Sequence, residues 1–89
     1  MSVELKPGAI EDLEKMDGKI REEIFEKLED FSKKQLDHPD IKMIKDHDGR
    51  WIWRLKCKED HSDHRIFLDY EDNRFIVNKV AHRDDAYEN

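Results

Sequence analysis

The apolar residues of this chain change their spacing once, and that change limits what it can fold into. In the first half they recur every three or four positions: Ile10, Leu13 and Met16, then Ile20, Ile24, Leu28 and Phe31. That spacing lines one face of a helix. From Trp51 the period is two. Trp53, Leu55 and Cys57 alternate with Ile52, Arg54, Lys56 and Lys58, which describes a strand with an apolar face and a basic one. A chain that is helical in front and stranded behind segregates its two kinds of element, an α+β arrangement. At 89 residues, it reads as a single domain spanning 1–89.

Ser2 to Lys6 alternates weakly, with Val3 and Leu5 on one side, and reads as a short strand. Pro7 and Gly8 end it, and proline suits the first turn of a helix. Glu11 and Asp12 favour the positive end of that helix's dipole. Asp17-Gly18 marks a turn, and a second helix is expected from about Lys19 to Lys34. Residues 35–50 are polar, with His38-Pro39 and Asp48-Gly49, and read as a connection with at most a short turn at Met43 and Ile44. After the strand at Trp51, a polar loop at Glu59 to Asp63 and a turn at Glu71-Asp72-Asn73 separate strands at Arg65–Tyr70 and Arg74–Ala81. Strands joined this closely form an antiparallel meander. The expected order is β-α-α-β-β-β.

No apolar run approaches the roughly 20 residues of a membrane span. A lone cysteine, Cys57, excludes an internal disulfide framework. With no leader-like stretch at Met1 to Lys6, the expected location is cytoplasmic. The formal net charge of −6 argues against gripping nucleic acid by bulk charge. That charge is uneven, however. Residues 1–49 carry 9 basic and 14 acidic side chains, whereas residues 50–83 carry 8 basic and 6 acidic. Trp51, Trp53, Phe67, Tyr70 and Phe75 lie in the same basic stretch. An anionic partner therefore belongs on the back half.

Residue by residue, the back half resembles a known family. Trp53-Arg54-Leu55-Lys56, then His64-Arg65-Ile66-Phe67, then Val80-Ala81-His82-Arg83-Asp84-Asp85-Ala86-Tyr87 is similar to the RelE toxins of the RelE/ParE superfamily. Those carry a basic-alternating strand (Tyr/Trp-Arg-Leu-Arg), a Tyr-Arg-Val strand and a terminal Gly-His-Arg-x-x-x-Tyr. The opening Ala9-Ile10-x-x-Leu13-x-x-Met16 and the Ile20–Phe31 stripe resemble the family's helical hairpin. The resemblance implies a RelE-like fold and the toxin of a type II toxin–antitoxin system, a metal-independent endoribonuclease (mRNA interferase) that cuts mRNA on the ribosome and inhibits translation. The RNA 2′-hydroxyl attacks the adjacent phosphate, which requires a base and cations around the crowded phosphorus.

Carried over by position, the resemblance assigns catalysis to Lys56, Arg65, Arg83 and Tyr87. Lys56 is the general base, Arg65 holds the scissile phosphate, Arg83 stabilises the transition state or leaving group, and Tyr87 orients the substrate. Arg54, Lys58, His82 and Trp51 are the expected substrate contacts. The implied partners are a cognate antitoxin, the ribosome and mRNA, with operator DNA reached only through the antitoxin. No cofactor, metal or membrane is expected. Plainer readings stand beside these. Arg65 has Asp69 or Glu71 as alternative partners, and Arg83 has Asp84 and Asp85. Trp51 serves equally as core, and Cys57 reads as a buried inert thiol. His61, Asp63 and His64 have ligand-like spacing but form an ordinary polar loop. The alternative function is non-nucleolytic: a ParE-like gyrase inhibitor, or a degenerate module that binds an antitoxin as co-repressor.

Overall fold

Pro7 and Asp17 set where the helices begin. The computed structural model describes residues 3–86 and places α1 at Pro7–Glu14 and α2 at Gly18–Lys34. The Asp17 carboxylate accepts from the Lys19 backbone N–H at 2.8 Å, satisfying one donor that the helix start leaves unpaired. A 3₁₀ turn at Gln35–Asp37 follows α2. The strands are β1 Val3–Leu5, β2 Ile41–Lys45, β3 Trp51–Lys58, β4 Asp63–Glu71 and β5 Arg74–His82. They form one sheet in the order β1-β5-β4-β3-β2, with β1 parallel to β5 and the other pairs antiparallel.

The α+β class, the N-terminal strand, the helical hairpin and the antiparallel meander all stand. Ser2, expected to open the first strand, lies outside the described residues. The meander holds one strand more than the sequence pattern indicates, because β2 occupies what reads as a connection. β2 is an edge strand, paired only with β3, so its two faces need not alternate cleanly. Lys42 and Lys45 supply the charge that keeps such an edge from pairing further. Its hairpin with β3 is closed by the Asp46 carboxylate, which accepts from the Asp48 and Arg50 N–H groups, both at 2.9 Å. Gly49 takes the left-handed φ of 80° that the loop requires. Asp72 and Asn73, at φ 52° and 64°, make the two-residue turn that matches the twist of β4 and β5.

Both helices pack on one face of the sheet. Ala9, Leu13, Ile24, Leu28 and Phe31 meet Leu55, Cys57, Ile66, Leu68, Phe75, Val77 and Val80 in one buried cluster. The Phe31 and Phe75 rings meet edge to face at 4.9 Å, a favoured aromatic geometry. β4 and β5 slip register between Phe67 and Leu68: Phe67 opposes Lys79, yet Leu68 opposes Val77. Asn78 is the extra residue of a β-bulge. β1 ends at Leu5, so it cannot pair the far part of β5, and the Asp12 carboxylate accepts the Val80 N–H at 2.9 Å instead. Asp12 thus serves a strand edge rather than the helix dipole expected of it.

The acidic loop after β3 is tied to α2. The Lys27 ammonium lies 2.9 Å from Asp40 and 3.1 Å from Glu59. The Glu23 carboxylate accepts from the His61 backbone N–H at 3.0 Å and meets its ring Nδ1 at 3.0 Å. The bond to Glu23 raises the His61 imidazole against its desolvation. Desolvation raises the Glu23 carboxyl, but the hydrogen bonds from His61 and Ser62 outweigh it and hold the group below the usual carboxylate range.

Phe31→Ala should destabilise the domain by about 3–5 kcal/mol in urea denaturation, a large share of the roughly 5–15 kcal/mol typical of a domain. The His61 pair adds a pH dependence whose sign follows from the raised imidazole. Its stabilisation is complete below the ordinary imidazole range and is lost as pH rises through the folded-state value. An NMR titration should place His61 above an unperturbed histidine, and Glu23→Gln should return it toward the ordinary value.

Candidate functional site

Strand alternation sends every second residue of the meander to the face that no helix covers. The register aligns these residues into rows. Lys79, Phe67, Arg54 and Lys42 lie across β5, β4, β3 and β2 in one row, and Ala81, Arg65 and Lys56 lie in the next. Lys58 and Asp63 oppose each other one step further on. Ile44, Ile52, Phe67 and Ala81 form a small apolar patch on this face, and Ala86 packs onto it. The chain therefore folds back over the sheet after β5, and the turn places Arg83 at the end of the face. The Arg83 backbone N–H donates to the Asp63 carbonyl at 2.8 Å.

Two carboxylates on this face flank the rows, one at each end, and both are neutralised. Asp69 accepts from Arg50 at 2.9 and 3.2 Å and from the Asn78 amide. Asp63 sits between two arginines, 3.2 Å from an Arg65 terminal nitrogen and 3.7 Å from one of Arg83. Desolvation raises the Asp63 carboxyl, but the Arg65 hydrogen bond and the charges of Arg65, Arg83 and Lys58 outweigh it and hold it down. Between these ends, Lys42, Arg54, Lys56, Lys58 and Lys79 have no ion-pair partner among the described residues. Arg54 Nε is buried without a hydrogen-bond acceptor. A groove of about 320 Å³ adjoins them, lined by Ile44, Ile52, Phe67, Asn78, Lys79 and Ala86. Unpaired cations at strand spacing on an open face can hold a chain of phosphates.

Of the residues to which the sequence points, the fold brings Arg54, Lys56, Lys58 and Arg65 onto this one face, with Arg83 at its end. Arg65 pairs with Asp63, not with Asp69 or Glu71, and Arg83 also turns to Asp63. Trp51 does not join them. It has the parity of Trp53 and lies on the opposite face, 59% exposed, with the Lys45 ammonium 5.1 Å from its ring. His82 likewise has the wrong parity; it opposes His64, and their rings meet edge to face at 5.4 Å. Tyr87 lies outside the described residues. Lys42 and Lys79 join the face without a signal in the sequence. Lys42 belongs to an edge strand with no clean period, and the bulge at Asn78 hides the parity of Lys79.

The plainer readings hold for Cys57 and the histidine loop. Cys57 is fully buried, and desolvation pushes its thiol up despite the Ser62 hydrogen bond, so it is no nucleophile. His61 is engaged by Glu23, while His64 Nδ1 accepts the Asp63 N–H at 3.2 Å. Burial, reinforced by the charge of His82, lowers the His64 imidazole.

No curated protein matches the chain. Among solved structures, the RelB–RelE antitoxin–toxin complex from Methanococcus jannaschii superposes with a TM-score of 0.64 at 18% identity, covering 94% of each chain. At that identity the likeness concerns the fold. A family model described as the ParE toxin of the type II toxin–antitoxin system parDE matches residues 3–87. The superfamily is the one the sequence resemblance named; the matched family model carries the ParE description and the matched structure contains a RelE chain. With the match spanning nearly its whole length, the chain belongs to the ParE toxin family of type II toxin–antitoxin systems.

Proposed function

We propose that this toxin is a ribosome-dependent mRNA endoribonuclease that cleaves without metal or cofactor, in the cytoplasm, and is silenced by a cognate antitoxin. The observation that carries the reading is the row of cations on the open face that are unpaired among the described residues, flanked by the Arg65–Asp63–Arg83 cluster. Lys56 and Arg65 are cross-strand neighbours. A phosphate seated on Arg65 therefore lies within reach of Lys56, which, once it has released its own proton to water, takes the proton of the adjacent 2′-hydroxyl. The new bond joins the 2′-oxygen to phosphorus, the bond to the 5′-oxygen breaks, and that oxygen takes up a proton from water. Arg65 and Arg83 balance the charge that builds on the phosphoryl and leaving oxygens. Arg54 and Lys58 hold the strand in place. The antitoxin proposal draws support from the related complex, in which a RelE chain is bound to RelB.

A second reading is favoured by the branch of the family that matches: inhibition of DNA gyrase without cleavage of RNA. One preparation of the protein tests both. Purified toxin on ribosomes programmed with a defined mRNA should give cuts in the A-site codon by primer extension. Lys56→Ala and Arg65→Ala should each slow cleavage by about 100-fold or more while leaving the circular dichroism spectrum unchanged. An uncut message together with blocked gyrase supercoiling would replace the nuclease reading with the second.

A further inference from the structure

We infer that the open face holds a second phosphate station, built from Lys42, Arg54 and Lys79, one nucleotide away from the station at Lys56 and Arg65. The ligand is the phosphate neighbouring the scissile one on the same single strand. This rests on the nuclease reading for the first station, and adds two residues, Lys42 and Lys79, that the catalytic step does not use.

Register and charge carry the argument. Lys79, Arg54 and Lys42 are joined across the sheet through Phe67, and none has an ion-pair partner among the described residues. Lys42 and Lys79 are exposed, while Arg54 is half-buried, with Nε short of an acceptor. A buried Nε–H left without an acceptor is a cost, and the guanidinium that carries it favours a neighbouring anion. The row through Arg54 lies two residues from the row through Lys56. Two residues of strand rise about 7 Å, close to the spacing of consecutive phosphates in an extended single strand. Carboxylates do not intrude. Asp69 is held by Arg50 and Asn78, and Asp63 by Arg65 and Arg83. Asp46, at the rim of the groove, accepts loop amides and lies 3.7 Å from Arg50 Nε. Two stations in line favour a strand whose bases are free, since the phosphates must lie flat on the sheet.

The test is binding of a 2′-O-methyl oligouridylate hexamer, which cannot be cleaved by 2′-oxygen attack, measured by anisotropy across a salt series. On a single strand, removing one phosphate-binding cation should lower the slope of log affinity against log salt by about 0.7. Lys42→Ala and Lys79→Ala should each show that drop, as should Arg65→Ala, while Lys19→Ala on α2 keeps the wild-type slope. Backbone NMR shifts on adding the hexamer should include Lys42 and Lys79. Wild-type slopes in Lys42→Ala and Lys79→Ala, or no shifts at those residues, would overturn the second station while leaving ribosomal cleavage to be judged separately. Conversely, the expected slopes without any mRNA cleavage would retire the nuclease reading and keep the two-station grip.

Discussion

One layer of helices is all this chain can place on its sheet, and the rest of the molecule follows from that. Ala9, Leu13, Ile24, Leu28 and Phe31 are enough apolar surface to cover one side. A five-stranded sheet has two sides. The side left over must be made tolerable in water, and it buries only a small patch around Ile52 and Phe67 together with Ile76 among the described residues. The remaining positions on that side can be polar without loss to the core. Cations there sit on a stiff, hydrogen-bonded support, two residues apart along β3 and one or two strands apart across the sheet. A loop does not hold charges at such fixed spacing.

The same constraint reconciles an acidic protein with a cationic face. The formal charge of −6 arises chiefly from the front half, whose carboxylates line the solvent side of the helices or bind Lys27, Lys33 and Lys34. Electrostatic attraction over distance is therefore weak, and attraction at the open face is local. Under the proposed nuclease reading, substrate must be delivered at close range, and a ribosome that already holds mRNA answers that need better than RNA free in solution.

Much of this is legible in the sequence because period reveals face. The Ile20–Phe31 stripe marks α2, and the alternation from Trp51 puts Arg54, Lys56 and Lys58 together on one side. The reading fails where parity is overlooked or interrupted. Trp51 and Trp53 share a face, which is not the face of Arg54, and aromatic character alone does not carry Trp51 across to the basic residues. His82 adjoins Arg83 in sequence, although neighbours on a strand point apart. β2 escapes notice because an edge strand needs only one partner and has less reason to alternate. The roles of Asp63 and Asp12 have no sequence signal, since Asp63 gains Arg83 from beyond β5 and Asp12 meets the Val80 N–H of β5.

The bulge at Asn78 also decides how the chain leaves the sheet. Without it, a strict two-residue period could not turn both Val77 and Val80 toward the helices, because they are three positions apart. The added residue resets the alternation. Lys79 and Ala81 then share a side with Phe67 and Arg65, and the chain leaves β5 in a phase that lets Arg83 reach Asp63 and Ala86 settle on Ile52. A single inserted residue thus works as a phase adjuster between core and surface. The sidedness of the C-terminal turn is therefore read by counting from that bulge rather than from either terminus.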